Sequence, residues 1–126
     1  KLLGMAGMLF MAAASSAGFF IVLDELDSNF HPSLVWRLIE MCNDFGFNET
    51  NFQLLFTSHD TNLMDPELMR RDQFYFAEKD INEATYLFSL SDLKGVRNDA
   101  TFAKNYLAGF YGALPVLKTF KKPSAI

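Results

Sequence analysis

Two stretches of this sequence carry reactive side chains directly after short apolar runs. In the first, Phe20-Ile21-Val22-Leu23 leads into Asp24-Glu25, with Asp27 close behind. In the second, Leu54-Leu55-Phe56-Thr57 leads into Ser58-His59-Asp60. A carboxylate fixed at the tip of a buried strand can hold Mg²⁺ through water, and a second one beside it can meet an attacking water molecule. Transfer of a phosphoryl group depends mostly on positioning and electrostatic stabilisation, so two acids on a rigid strand suit that chemistry. Mg²⁺ needs few carboxylates, because it keeps several of its waters. An imidazole at the same edge of a sheet, neutral or charged, can donate a hydrogen bond to a terminal phosphate.

Each feature alone has a plainer explanation. Asp24, Glu25 and Asp27 fit a solvated loop after a core strand, and His59 fits an exposed residue after another. The pairing of the two strand ends is what favours a site. A metal centre of another kind would draw on Asp24, Glu25, His31 and His59, a set suited to zinc or iron, but no fixed ligand spacing supports it. The lone Cys42 cannot close an internal disulfide and reads as a small buried hydrophobe within a helix. Arg70-Arg71 reads as a solvated pair rather than a contact to a partner or nucleic acid. Eleven basic residues against fifteen acidic ones leave a formal net charge of -4, so no global electrostatic footprint for nucleic acid or an anionic membrane exists. Nothing in the composition requires an oxidising compartment, and a cytoplasmic location is expected.

The elements that must position these residues follow from the pattern around them. From Leu2 to Leu23 no residue is charged, a run long enough to span a bilayer. Ser15, Ser16 and Gly18 interrupt it, and its composition changes from Ala, Met and Gly to Phe19-Phe20-Ile21-Val22-Leu23. That shift reads as helix, turn and strand rather than as a membrane span. Lys1, the apolar run and Ala13-Ala14-Ser15-Ser16-Ala17 also imitate a secretory signal, a weaker reading because cleavage there would leave a strand at the new N-terminus.

Pro32 suits the first turn of an amphipathic helix, in which Leu34, Val35, Leu38, Ile39 and Cys42 recur at helical spacing up to about Phe45-Gly46. Phe52 to Thr57 is short, apolar and bounded, as a buried parallel strand is. A short helix is expected near Asp65-Pro66, then strands over Gln73 to Glu78 and Thr85 to Leu90 that form a hairpin at the sheet edge. Ser91 to Leu117 looks helical, with interruptions at Gly95, Gly109, Gly112 and Pro115, and 118–126 has no pattern that predicts order. The expected fold is α/β, one unit over residues 1–117 with a mainly parallel sheet flanked by helices. In such sheets ligands gather at the C-terminal ends of the strands.

At this point the residues resemble a known family. Ile21-Val22-Leu23-Asp24-Glu25-Leu26-Asp27-Ser28-Asn29-Phe30-His31-Pro32 is similar to the Walker B and D-loop segment of ABC-like AAA ATPases of abortive-infection and overcoming-lysogenization-defect systems. Leu55-Phe56-Thr57-Ser58-His59-Asp60 resembles their switch-histidine segment. The stretches Leu68 to Phe76, Tyr86 to Asp92 and Tyr106 to Pro115 are similar to the C-terminal end of the same proteins. The resemblance implies the C-terminal portion of a P-loop NTPase, with ATP and Mg²⁺ as the parent protein's cofactors. It makes Asp24 the Mg²⁺ ligand, Glu25 the residue that orients or activates water, and His59 the sensor of the γ-phosphate. Asp27, Ser28, Asn29 and His31 would belong to the D-loop, which in this family faces the partner subunit of a homodimer. The opening helix from Leu2 to Ala14 would follow the signature motif. The parent's ATP-driven dimerisation would be coupled to a defence effector such as a nuclease, or to DNA, and not to a membrane.

The sequence departs from the family in one large respect. No stretch matches G-x-x-x-x-G-K-[ST], so the cradle of backbone amides and the lysine for the β- and γ-phosphates are not here. The Q-loop and signature are likewise missing, and Phe110 stands where the family often has arginine. The chain alone is therefore expected to bind no nucleotide tightly and to hydrolyse no ATP, with the rest of the ATPase domain as its first partner. The alternative is a nucleotide-incompetent interaction domain, with Tyr86, Phe88, Tyr106, Phe110 and Tyr111 as an aromatic contact surface, although core packing explains most of those five.

Overall fold

The computed structural model describes residues 2–15, 18–97 and 101–115. It is a mixed α/β structure in two compact units, Lys1–Met64 and Asp65–Ile126. The first unit runs α1 (Leu2–Ala14), β1 (Phe20–Leu23), α2 (Pro32–Asn43) and β2 (Gln53–Phe56), closed by a 3₁₀ turn at Thr61–Leu63. β1 and β2 pair in parallel, Phe20 opposite Gln53 and Leu23 opposite Phe56. A parallel pair needs a crossover, and α2 supplies it. The helix–turn–strand reading of the opening apolar run therefore holds at both described ends. Among the described residues no helix is long and apolar enough to cross a membrane.

Leu9 and Ala12 of α1, Ile21 of β1 and Phe52 form the centre of this unit's core, with Leu23, Leu38, Cys42 and Leu54 packed against it. The burial around Cys42 pushes its thiol up to about 11, which fits a packing role rather than a reactive one. Alternation along the strands puts Ile21 and Leu23 on the covered side and Phe20, Val22 and Leu55 on the other. Those three apolar residues are 61%, 62% and 53% exposed.

Side-chain hydrogen bonds fix the ends of the elements. Pro32 opens α2, and the His31 imidazole caps it by accepting the Ser33 amide at Nδ1. The helix stops at Asn43, short of Phe45-Gly46, because the Asp44 carboxylate accepts the amides of Gly46 (2.6 Å) and Phe47 (3.0 Å) in a tight turn. The Asn48 side chain then joins helix to strand: its amide nitrogen donates to the carbonyls of Cys42 and Phe52, and its oxygen accepts the Phe52 amide at 2.8 Å. Thr50 donates to the Ala12 carbonyl at 3.0 Å, one of the acceptors that the end of α1 leaves without a helical partner.

The second unit is built on β3 (Tyr75–Lys79) and β4 (Thr85–Ser89), an antiparallel hairpin with Phe76 opposite Phe88. The hairpin is where it was expected, but it forms a sheet of its own and not the edge of the parallel one. β3 starts at Tyr75 rather than Gln73 because residues Arg71–Gln73 make a 3₁₀ turn, which the Gln73 side chain closes by accepting the Arg70 amide. Near Asp65-Pro66 there is a single turn, with the Leu68 and Met69 amides both donating to the Asp65 carbonyl.

Among the described residues, the helix expected over Ser91 to Leu117 shrinks to a 3₁₀ turn at Leu90–Asp92 and the short α3 (Phe102–Leu107). Gly109 ends α3 with φ 83°: its amide donates to the Tyr106 carbonyl, and that of Phe110 to Asn105. This is a Schellman ending, for which a left-handed glycine is the usual requirement. Residues 98–100 and 116–126, which include the end of that stretch and the tail, lie outside the described residues.

Phe76 stacks on Tyr106 at 5.4 Å and meets Phe88 and Tyr111 at 5.5 and 6.0 Å. Three of the five aromatics assigned to a contact surface thus serve the core of this unit, while Tyr86 and Phe110 stay exposed. The Arg70-Arg71 pair is engaged within the unit as well. Arg70 makes a two-pronged bond to Asp72, and Arg71 donates to the Val96 carbonyl at 2.7 Å.

Candidate functional site

Because β1 and β2 are parallel, their C-terminal ends lie side by side, and both reactive segments leave the sheet at one edge. The pairing continues past the strands themselves. The Thr57 amide donates to the Leu23 carbonyl at 3.0 Å, and the Leu26 amide donates to the Thr57 carbonyl at 2.9 Å. Leu26, 2% exposed, anchors the segment into the core directly after the two acids.

Between those two backbone bonds sits the Thr57 hydroxyl. It donates to Asp24 Oδ1 at 2.6 Å and accepts the Glu25 amide at 2.8 Å. Glu25 has φ 50°, in the left-handed region that a residue with a Cβ occupies at a cost. Such conformations persist where the surroundings over-determine them, and they gather at functional sites. The Asp24 and Glu25 side chains are exposed. Asp24 Oδ1 is held by Thr57, and its hard oxygen donors suit Mg²⁺ through water.

Asp27 ties the two segments together a second time. The His59 amide donates to Asp27 Oδ1 at 3.3 Å, and the Ser58 hydroxyl also donates to that carboxylate. Burial pushes the Asp27 carboxyl up. The bonds from Ser58 and from the backbone of Asp27 and His59, with the nearby His59 charge, outweigh it and hold the group below its ordinary value. Ser28 and Asn29 form the turn between β1 and α2, with Asn29 at φ 70° and its side-chain Nδ2 donating to the Ser28 hydroxyl. Asp60 stands apart as the cap of the 3₁₀ turn after β2, accepting the Asn62 amide at 2.9 Å.

The structure thus brings together Asp24, Glu25, Asp27 and the His59 backbone. It does not assemble the four-ligand centre of Asp24, Glu25, His31 and His59. Among the described residues no group of three or more His, Cys, Asp or Glu could hold a metal ion, and His31 Nδ1 is engaged in capping α2. Two residues of the edge escape a reading of the sequence alone, Thr57 as the bridge and Ser58 as a donor to Asp27. The signal that could have found them is position: in parallel strands, the hydroxyls that follow one apolar run face the acids that follow the other.

Residues 1–65, just over half of the chain, match the model of the family described as "AAA domain, putative AbiEii toxin, Type IV TA system". No curated protein and no solved structure matches the chain.

Proposed function

We propose, from the premise that this chain belongs to that AAA domain family, that it supplies the hydrolytic edge of an ABC-like ATPase in an abortive-infection type of system. The observation that carries the proposal is the joint exit of Asp24-Glu25 and Thr57-Ser58-His59 at one edge of a parallel pair, bridged by a shared hydroxyl. Asp24 is the residue to hold Mg²⁺, whose chemistry when bound is to neutralise charge on the phosphates. In this reading Glu25, the next residue, orients the attacking water and accepts its proton. The His59 side chain, in the same reading, donates a hydrogen bond to the terminal phosphate, and the bond from the His59 amide to Asp27, which ties its segment to the acids, supports the assignment. Asp27, Ser28, Asn29 and His31 form the D-loop in this reading and face a second protomer.

The amides and lysine that grip the phosphates come, on this proposal, from other residues of the ATPase. The bare face of the parallel pair supports that arrangement. Strands of parallel sheets are normally covered on both faces, and Phe20, Val22 and Leu55 offer an apolar surface for the rest of the domain to cover. A nuclease effector or DNA is the proposed recipient of the ATP-driven dimerisation, in a cytoplasmic protein.

The test is ATP turnover by the full-length polypeptide that carries this chain. Glu25→Gln should lower kcat by about a hundredfold or more while nucleotide binding persists, as expected when a group acting in the transition state is removed. Undiminished turnover in Glu25→Gln refutes the assignment. Turnover by the isolated 126-residue chain would refute the division of labour.

A further inference from the structure

We infer that Thr57 is a positioning residue whose single hydroxyl sets both the Asp24 carboxylate and the Glu25 backbone, an inference that rests on the ATPase reading above. A hydroxyl has one proton and two lone pairs. Thr57 uses the proton on Asp24 Oδ1 at 2.6 Å and a lone pair on the Glu25 amide at 2.8 Å, so the direction of both bonds is determined. The two bonds act on adjacent residues. One orients the carboxylate assigned to the metal; the other holds the peptide at which the chain turns left-handed to aim Glu25.

The backbone bonds from Thr57 to Leu23 and from Leu26 to Thr57 lie on either side, which makes the hydroxyl the centre of a four-bond clasp. Thr57 also lies on the segment that continues to His59, whose amide reaches Asp27. Any shift of that segment on meeting a phosphate therefore moves the oxygen that aligns the two acids. Phosphate sensing and metal holding are joined through one side chain.

Valine keeps the shape of threonine and removes the hydroxyl; serine keeps the hydroxyl and removes the methyl. In the full-length polypeptide, wild type, Thr57→Val and Thr57→Ser are compared by Mn²⁺ titration with a non-hydrolysable ATP analogue present, read by electron paramagnetic resonance. Hydrogen exchange of the Glu25 amide is followed in parallel. Loss of the charge-assisted bond to Asp24 predicts that Thr57→Val weakens Mn²⁺ binding about tenfold, and loss of the neutral bond from the Glu25 amide that it speeds Glu25 exchange about tenfold, with Thr57→Ser within about twofold of wild type on both. Analogue binding without metal should be the same in all three.

Wild-type values for Thr57→Val overturn the inference and leave the ATPase reading standing. Equal loss in Thr57→Ser also overturns it, since packing of the methyl would then be the cause. If the wild-type protein binds no analogue, the ATPase reading falls and takes this inference with it.

Discussion

Replacing Glu25 by glycine should stabilise the fold relative to replacing it by alanine, the reverse of the usual order. Glu25 sits at φ 50°, where any residue with a Cβ is strained by roughly 1–2 kcal/mol and glycine is not. At an ordinary position alanine is the better residue by about 0.4–1 kcal/mol, because glycine has more freedom to lose on folding. The difference leaves Glu25→Gly ahead of Glu25→Ala by roughly 0.5–1 kcal/mol. Neither variant keeps the carboxylate, so its contacts cancel in the comparison. Urea unfolding of the chain followed by fluorescence gives the measurement, because Trp36 is its only tryptophan and lies on α2 of the same unit. The midpoint of Glu25→Gly should be the higher at equal slope. If alanine is as stable as glycine or more so, the left-handed backbone at Glu25 is not there, and the argument that strain marks this position fails. If glycine wins, an acid has been kept where the backbone prefers none, which is the trade expected at a site that works.

Two further predictions concern the supports of the site. Asn48→Ala removes three hydrogen bonds that join the end of α2 to the start of β2, and should cost roughly 2–3 kcal/mol by the same unfolding measurement; a loss below about 0.5 kcal/mol would show that water replaces them. Asp27 has its carboxyl held below the ordinary 3.8, so its contribution to stability is fully present above that value and is lost as pH falls through the lower folded value. Asp27→Asn should therefore flatten the acid limb of a plot of unfolding midpoint against pH, and an unchanged acid limb would count against the bonds from Ser58 and His59.

Much of the first unit was legible because its signals are local and strong. An apolar run that stops at two acids, a proline one residue into a helix, and a bounded run ending in Ser58-His59 each state one element and one boundary. What was not legible depends on partners distant in the chain. Thr57 looks like the last residue of a strand until Asp24 and Glu25 are beside it. Nothing in the identity of a glutamate announces a left-handed backbone, as glycine or asparagine would. His31 reads as a loop or ligand residue, although its place just before Pro32 is the capping position. The end of α2 was readable in principle, since Asp44 two residues before Gly46 is a common turn pattern. In the second unit, helical composition from Ser91 onward gave way to glycines that take positive φ at 95, 109 and 112. The hairpin was found from its strands, but which sheet it would join is not a property of its own residues.

The bridge from Thr57 to Asp24 spans 33 positions of sequence. Closing a segment of that length costs about 3 kcal/mol of chain entropy before any contact compensates for it. Parallel pairing across a helical crossover is accordingly a slow, non-local event, and the acids can be aligned only when it is complete. During synthesis β1 emerges first and waits for α2 and β2, with the apolar side chains of Phe20 and Val22 beside an unpaired backbone. Such an interval is when chains associate wrongly or need a chaperone. The step that ends this exposure is the same one that brings Thr57 to Asp24, so the candidate site should appear in refolding experiments at the rate of the slowest phase of its unit and not before.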